Sequence, residues 1–183
     1  PEIGTDIINY VRDLAKKLKL KPYDQKSHIG FLRYLVLRFG QNTNELMVNL
    51  VTAYEDLDLL IPVVTKLAKK FPQITSIVNN INTRKADVAF GEHEILLHGE
   101  PMLKERLKDL TFQISSNSFF QTNSFMAEKL YDVILDSAEL KGDEIALDLY
   151  CGAGSISLFL AQRAKFVYGF DIIVSSIENA EQN

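Results

Sequence analysis

The stretch that most constrains this chain is Asp148-Leu-Tyr-Cys-Gly-Ala-Gly-Ser155. It follows the apolar run Ile145-Ala-Leu147 and precedes Ile156-Ser-Leu-Phe-Leu-Ala161, whose apolar spacing is helical. A strand that stops at a Gly-x-Gly turn and re-enters as a helix brings bare backbone close to a ligand. It also turns the first helical amides toward that ligand. A second short apolar run ends in a carboxylate at Tyr168-Gly-Phe-Asp171, 17 residues beyond Gly154. A Rossmann-type site sets its ribose-binding acid at about that distance. From Asp143 onward the order therefore reads β-α-β-α, the opening of a doubly wound α/β sheet.

The turn also discriminates between nucleotide ligands. A dinucleotide site favours Gly-x-Gly-x-x-Gly, so that helix and strand close around a pyrophosphate. Here Gly152 and Gly154 are followed by Ser157 at the third position, and Asp148 stands four residues before Gly152. A carboxylate there repels a pyrophosphate but attracts an α-amino group, which favours S-adenosylmethionine over NAD. Asp171 accepts from ribose hydroxyls with either ligand.

The preceding residues read as an α+β module with the order α-β-β-α-β-β-β. Ile3, Ile7, Val11, Leu14 and Leu18 form the apolar stripe of a first helix, capped near Thr5 or Asp6. Phe31–Phe39 and Glu45–Thr52 flank a polar turn and predict a hairpin. Arg33 and Arg38 differ in parity, so without a bulge they point to opposite faces. Asp58–Phe71 is a second amphipathic helix with Pro62 in its first turn, and Ile74–Val78, Glu94–His98 and Leu110–Ile114 are strands. Asn79–Lys85 is polar enough for a turn or surface loop. A last helix, Ser124–Leu140, turns Met126, Leu130, Val133, Ile134 and Ala138 inward. The expected domains are residues 1–114 and 115–183.

Of 183 residues, 46% are apolar and 24% charged, ordinary for a globular protein, and no apolar run reaches the roughly 20 residues of a membrane span. The net charge of −4 is unevenly spread: residues 1–38 carry +4, residues 39–110 carry −2 and residues 111–183 carry −6. A basic segment joined to an acidic nucleotide-type fold is compatible with an anionic partner or with a solvated helix face. A single cysteine excludes an internal disulfide and fits a reducing compartment. His93 and His98 lack neighbours at ligand spacing, so no metal is expected.

Phe112-Gln-Ile-Ser-Ser-Asn-Ser-Phe-Phe-Gln-Thr-Asn123, then a helix, then Leu147-Asp-Leu-Tyr-Cys-Gly-Ala-Gly154, resembles the RNA uracil-5-methyltransferase family. Val167-Tyr-Gly-Phe-Asp171, Ala180-Glu-Gln-Asn183 and, more loosely, Tyr23-Asp24 with His28–Arg33 fit the same pattern. The resemblance implies transfer of a methyl group from S-adenosylmethionine to carbon 5 of a uridine, in ribosomal RNA ahead of transfer RNA, by a monomeric cytoplasmic enzyme. It implies that Gln121 contacts both cofactor and flipped uracil, with Phe119 available to stack on the base. Tyr150 and Ser155 would contact the cofactor from the turn, and Asp171 would hold its ribose. Asp171 is often Glu in the family, and Ser155 stands where several members carry Asn or Thr.

The chemistry implied needs a thiolate to add at carbon 6 and a general base to remove the hydrogen at carbon 5. The family's nucleophile belongs to a Ser-Cys-Asn-Pro-like segment absent from these residues, and the base glutamate lies beyond it. Cys151 therefore reads as a packed turn residue, no catalytic residue is assigned, and the chain alone is expected to be inactive, an internal piece of a larger enzyme. The cysteines of an iron–sulfur cluster are likewise absent. Two other readings remain: a non-catalytic RNA-binding module built on residues 1–38 and the hairpin, and a small-molecule methyltransferase.

Overall fold

The computed structural model describes residues 2–183. They divide into two compact units, one of residues up to Phe39 with Glu45–Leu103, the other of Gly40–Asn44 with Lys104–Asn183. The division falls at Leu103, not at residue 114, because a strand unmarked in the sequence, β5 (Leu103–Leu107), pairs with β6 (Leu110–Ile114). Its alternating buried and exposed pattern accommodates Lys104 and Arg106 on the outer face.

The first unit is a four-stranded sheet, β1 (Leu32–Phe39), β2 (Leu46–Thr52), β3 (Ser76–Ile81) and β4 (His93–Gly99), ordered as in the chain. β1 and β2 form the expected antiparallel hairpin, and β2 pairs parallel with β3. The parallel pair requires a crossover, supplied by α2 (Leu57–Lys70). Val48, Leu50 and Ile77 meet Ile7, Val11 and Leu14 of α1 (Glu2–Lys17) and Leu60, Val63 and Leu67 of α2 in one core. α1 is already helical at Glu2, so Thr5 and Asp6 lie inside it rather than capping it. The Asp56 carboxylate caps α2 by accepting from the Leu59 amide at 3.1 Å. Pro62 is thus in the second turn, not the first, and removes one amide from the helical ladder.

The largest correction concerns Asn79-Asn-Ile81, read from composition as loop. These residues end β3 and are fully buried. The Asn79 amide donates to the Leu50 carbonyl at 2.7 Å and to Thr52 Oγ1 at 3.0 Å, and Asn80 donates to Asn49 Oδ1 at 3.1 Å. Neighbouring strands thus supply the partners that make a buried amide tolerable. The β1–β2 register slips between Leu32 and Tyr34, leaving Arg33 unpaired in a bulge. Its guanidinium donates to the carbonyls of Asn82 at 2.8 Å, Arg84 at 2.5 Å and Ala86 at 2.7 Å.

The second unit holds the β5–β6 hairpin, α3 (Ser124–Ser137), the parallel pair β7 (Ile145–Leu149) and β8 (Phe166–Phe170), and helices α4 (Ser155–Ala161) and α5 (Val174–Gln182). The strand–glycine turn–helix–strand order of an α/β nucleotide fold is therefore present. α3 ends three residues early, and it buries Ser124, Ala127, Tyr131 and Leu135, whereas Met126, Leu130 and Val133 are exposed. The inward stripe is set by two polar contacts that apolar periodicity does not register. Ser124 Oγ donates to Glu105 at 2.7 Å, and the Tyr131 hydroxyl donates to Ser155 Oγ at 3.1 Å. Glu105 is 2% exposed and also accepts from the amides of Gln41 at 2.6 Å, Asn42 at 3.0 Å and Arg106 at 2.8 Å.

Candidate active site

β7 ends at Leu149, and the chain turns through Tyr150, Gly152 and Gly154, whose φ values of 65°, 56° and 77° are all left-handed. Tyr150 holds that conformation despite its Cβ, and its ring is 86% exposed. A Cβ built on Gly152 meets nothing within 4 Å, so the turn leaves open space in front of that backbone. At Gly154 a Cβ would come within 3.1 Å of Ala180 Cβ, so here the missing side chain lets α5 pack closely.

Two carboxylates bracket the turn. Asp171, just beyond β8, accepts from the Gly152 amide at 2.9 Å with one oxygen and from the Ile173 amide at 2.8 Å with the other. Each carboxylate oxygen has two lone-pair sites, so capacity remains for hydroxyl donors. Asp171 also lines a cleft of about 330 Å³ with Leu149, Tyr150, Phe170 and Ile172. Apolar walls with one acid suit an adenosine: faces for the base, an acceptor for the ribose. Asp148 is buried and accepts from Ser157 Oγ at 2.6 Å. The residue at the third-glycine position thus acts through its hydroxyl, by orienting Asp148.

Cys151 is buried in the turn, its amide bonded to the Phe170 carbonyl at 2.9 Å. Burial first, then the nearby charges of Asp148 and Asp171, push its thiol pKa up. A nucleophilic thiol needs the opposite environment. Tyr131 is similarly raised, chiefly by burial, and holds Ser155 from behind rather than offering a reactive phenol. Among the described residues no cluster of His, Cys, Asp and Glu is arranged to hold a metal.

The segment between β6 and α3 separates its two aromatics. Phe120 is buried and packs on Phe112 with ring centroids 5.6 Å apart, whereas Phe119 is 77% exposed. Gln121 is half-buried, two residues before Asn123, which caps α3 through the Met126 amide at 3.0 Å. Asn179, which the sequence reading did not name, and Asn183 of the closing motif join this segment to the turn. The Asn179 amide on α5 donates to Ser118 Oγ at 2.7 Å and to Ser115 Oγ at 3.3 Å. Asn183 donates to the Ala153 carbonyl at 3.0 Å and accepts from the Gln113 amide at 2.6 Å. Two asparagines four apart share one helix face, which was the available signal.

A family model, tRNA (uracil-5-)-methyltransferase, matches residues 92–183, half of the chain. The chain belongs to the tRNA (uracil-5-)-methyltransferase family. It is similar to an uncharacterized RNA methyltransferase of Halalkalibacterium halodurans, 41% identical over 182 residues, covering 100% of this chain and 40% of the relative. A Chlorobaculum tepidum relative, also an uncharacterized RNA methyltransferase, is 42% identical over 178 residues, covering 97% of this chain and 37% of its own length. Among solved structures, the Pyrococcus abyssi tRNA (uracil-54, C5)-methyltransferase in complex with S-adenosyl-L-homocysteine superposes with a TM-score of 0.78 at 36% identity. That likeness covers 96% of this chain and 41% of that one. The chain thus spans about two fifths of the length of these family members.

Proposed function

We propose that this chain is the S-adenosylmethionine-binding and base-facing part of an enzyme that methylates carbon 5 of a uridine in RNA. One observation carries the reading. Asn179 on α5 bonds Ser118, and Asn183 at the end of α5 bonds both Gln113 of β6 and Ala153 of the glycine turn, so the segment that carries an exposed aromatic and a carboxamide is tied to that turn. Family membership and the cofactor product in the Pyrococcus abyssi structure support it.

Asp171 would hold the ribose, Tyr150 and the walls beside it the adenine, and Asp148 the α-amino group, with Gly152 giving the close approach. Gln121 and Ser155 are the remaining cofactor contacts in this reading. The bound sulfonium supplies an electrophilic methyl group. Phe119 offers a stacking face to a base out of its helix, which offsets part of an unstacking cost of a few kcal/mol. Gln121 can donate to and accept from a uracil edge at once. The burial of Cys151 and its raised pKa argue against it as the thiolate that activates carbon 5, which supports the reading that these residues act as part of a larger enzyme.

The test is methyl transfer by the full-length protein to unmodified ribosomal and transfer RNA, with 5-methyluridine read by mass spectrometry. Product in ribosomal RNA is expected, Phe119→Ala should lower its rate, and the isolated chain should form none. Methylation of a small molecule but no RNA would sink the proposal. So would RNA binding with no S-adenosylhomocysteine binding, which would favour a non-catalytic module.

A further inference from the structure

The methyl-transfer reading leaves the basic N-terminal residues unused. A cavity of about 750 Å³ lies wholly within the first unit, where those residues fold against the sheet. Its lining carries Lys19, Lys21, Lys85, Arg33 and His28 and not one carboxylate. All three lysines are exposed, and none forms an ion pair among the described residues. Aromatic rings stand among the charges. Tyr54 is 48% exposed at the cavity and is backed by Phe31, with ring centroids 5.1 Å apart. Tyr23 is covered by the Arg33 guanidinium at 4.3 Å from the ring centre.

The walls are preformed. The bulge at Arg33 aims its guanidinium at three carbonyls of the 82–86 loop, fixing a positive charge at the base of the cavity. Asp24 closes a turn by accepting from the amides of Lys26 at 3.0 Å and Ser27 at 2.6 Å, and the Tyr23 hydroxyl bonds His28 Nδ1 at 3.0 Å. Gln25 donates to Asp87 at 2.8 Å, joining the two loops. Lysines around a supported, exposed ring are what a single-stranded nucleic acid engages, phosphates on the ammonium groups and a base on the ring. A site for a simple anion would have no use for the ring, and an apolar ligand none for the charges.

We propose that this cavity is a second RNA site, which takes an unpaired nucleotide of the substrate other than the methylated uridine, stacking its base on Tyr54 and seating its phosphates on Lys19, Lys21 and Lys85. The inference rests on the RNA reading above and gives the basic segment a role in selecting the substrate by its flanking single strand. Affinity here acts on both ground and transition states, so its loss raises KM and leaves kcat unchanged.

The test uses the full-length protein and a fluorescein-labelled oligouridylate, with anisotropy read over a salt series. Tyr54→Ala is expected to weaken binding by about tenfold, and Tyr54→Phe to leave it within twofold, since the phenyl face stacks equally well. Replacing Lys19, Lys21 and Lys85 together by Gln should lower the slope of log affinity against log salt by about 2. Titration with S-adenosylhomocysteine should give wild-type affinity for every variant, showing that each is folded. If wild-type protein binds the oligonucleotide and the variants bind it equally well with an unchanged salt slope, the cavity proposal fails and the methyltransferase reading stands. If wild-type protein binds no RNA, both fail.

Discussion

Replacing Gly152 and Gly154 separately by Ala distinguishes a glycine kept for a ligand from one kept for packing. Both sit at left-handed φ, 56° and 77°, where an L-residue costs about 1–2 kcal/mol. At Gly152 nothing lies within 4 Å of the new methyl, so that conformational cost is the whole penalty. At Gly154 the methyl arrives 3.1 Å from Ala180 Cβ and 3.5 Å from its Cα, so α5 must back away. Overpacking of this kind costs about 1–3 kcal/mol, bringing the total to about 2–5 kcal/mol. Cofactor affinity should rank the other way. The Gly152 methyl fills the space a ligand would use, and a loss of at least 1.4 kcal/mol, about tenfold, is expected for S-adenosylhomocysteine. Urea unfolding followed by circular dichroism and calorimetric titration of the full-length protein give the two quantities. If Gly152→Ala binds within twofold of wild type, or loses as much stability as Gly154→Ala, the open space before Gly152 is not the ligand's.

Further outcomes follow from the same geometry. Phe119→Ala should cut methyl transfer with little change in stability, because the ring is 77% exposed. Equal activity of the variant would remove Phe119 from the site. Glu105→Ala strands the amides of Gln41, Asn42 and Arg106 and the Ser124 hydroxyl, and should cost at least about 3 kcal/mol in urea unfolding. With its pKa raised, Cys151 stays a neutral thiol to higher pH than a free cysteine, so iodoacetamide should label it slowly until the pH passes the usual thiol pKa of about 8.5. Fast labelling at neutral pH would contradict the burial argument. The Asp24 pKa is lowered mainly by the Ser27 amide bond. Depression in the fold means its contribution is present above the unfolded pKa and is lost as pH falls through the folded one. Exchange protection of the Ser27 amide should therefore persist below the usual aspartate range and vanish only in stronger acid.

The glycine turn was legible because its constraint is local. Left-handed backbone needs glycine, a strand before it needs apolar residues, and the acid after the second strand stands at a fixed chain distance. Asp148 consequently falls near the end of β7, Gly152 in the turn that follows and Asp171 just beyond the neighbouring strand. Phe119 and Phe120 could be told apart only through the resemblance, and the structure separates them by exposure.

Other readings failed where a polar residue's partner is remote in sequence. Asn79 and Asn80 are polar by composition, yet they belong in a central strand because Leu50, Thr52 and Asn49 accept from their amides. The buried face of α3 includes Ser124 and Tyr131 because Glu105 and Ser155 await them, and no apolar period encodes that. Asn179 and Asn183 look like an ordinary polar helix face until Ser118 and Ala153 are brought beside them. The bulge at Arg33 follows from how β1 meets β2. Sequence alone determined the α/β class, the glycine turn and the two carboxylates beside it, because backbone conformation and chain spacing act over a few residues. Which polar side chains are buried, and what holds the Ser115–Ser118 segment to the turn, was decided by tertiary structure. A buried polar group is stable only when its partner is present, and here that partner lies 19 to 70 residues away.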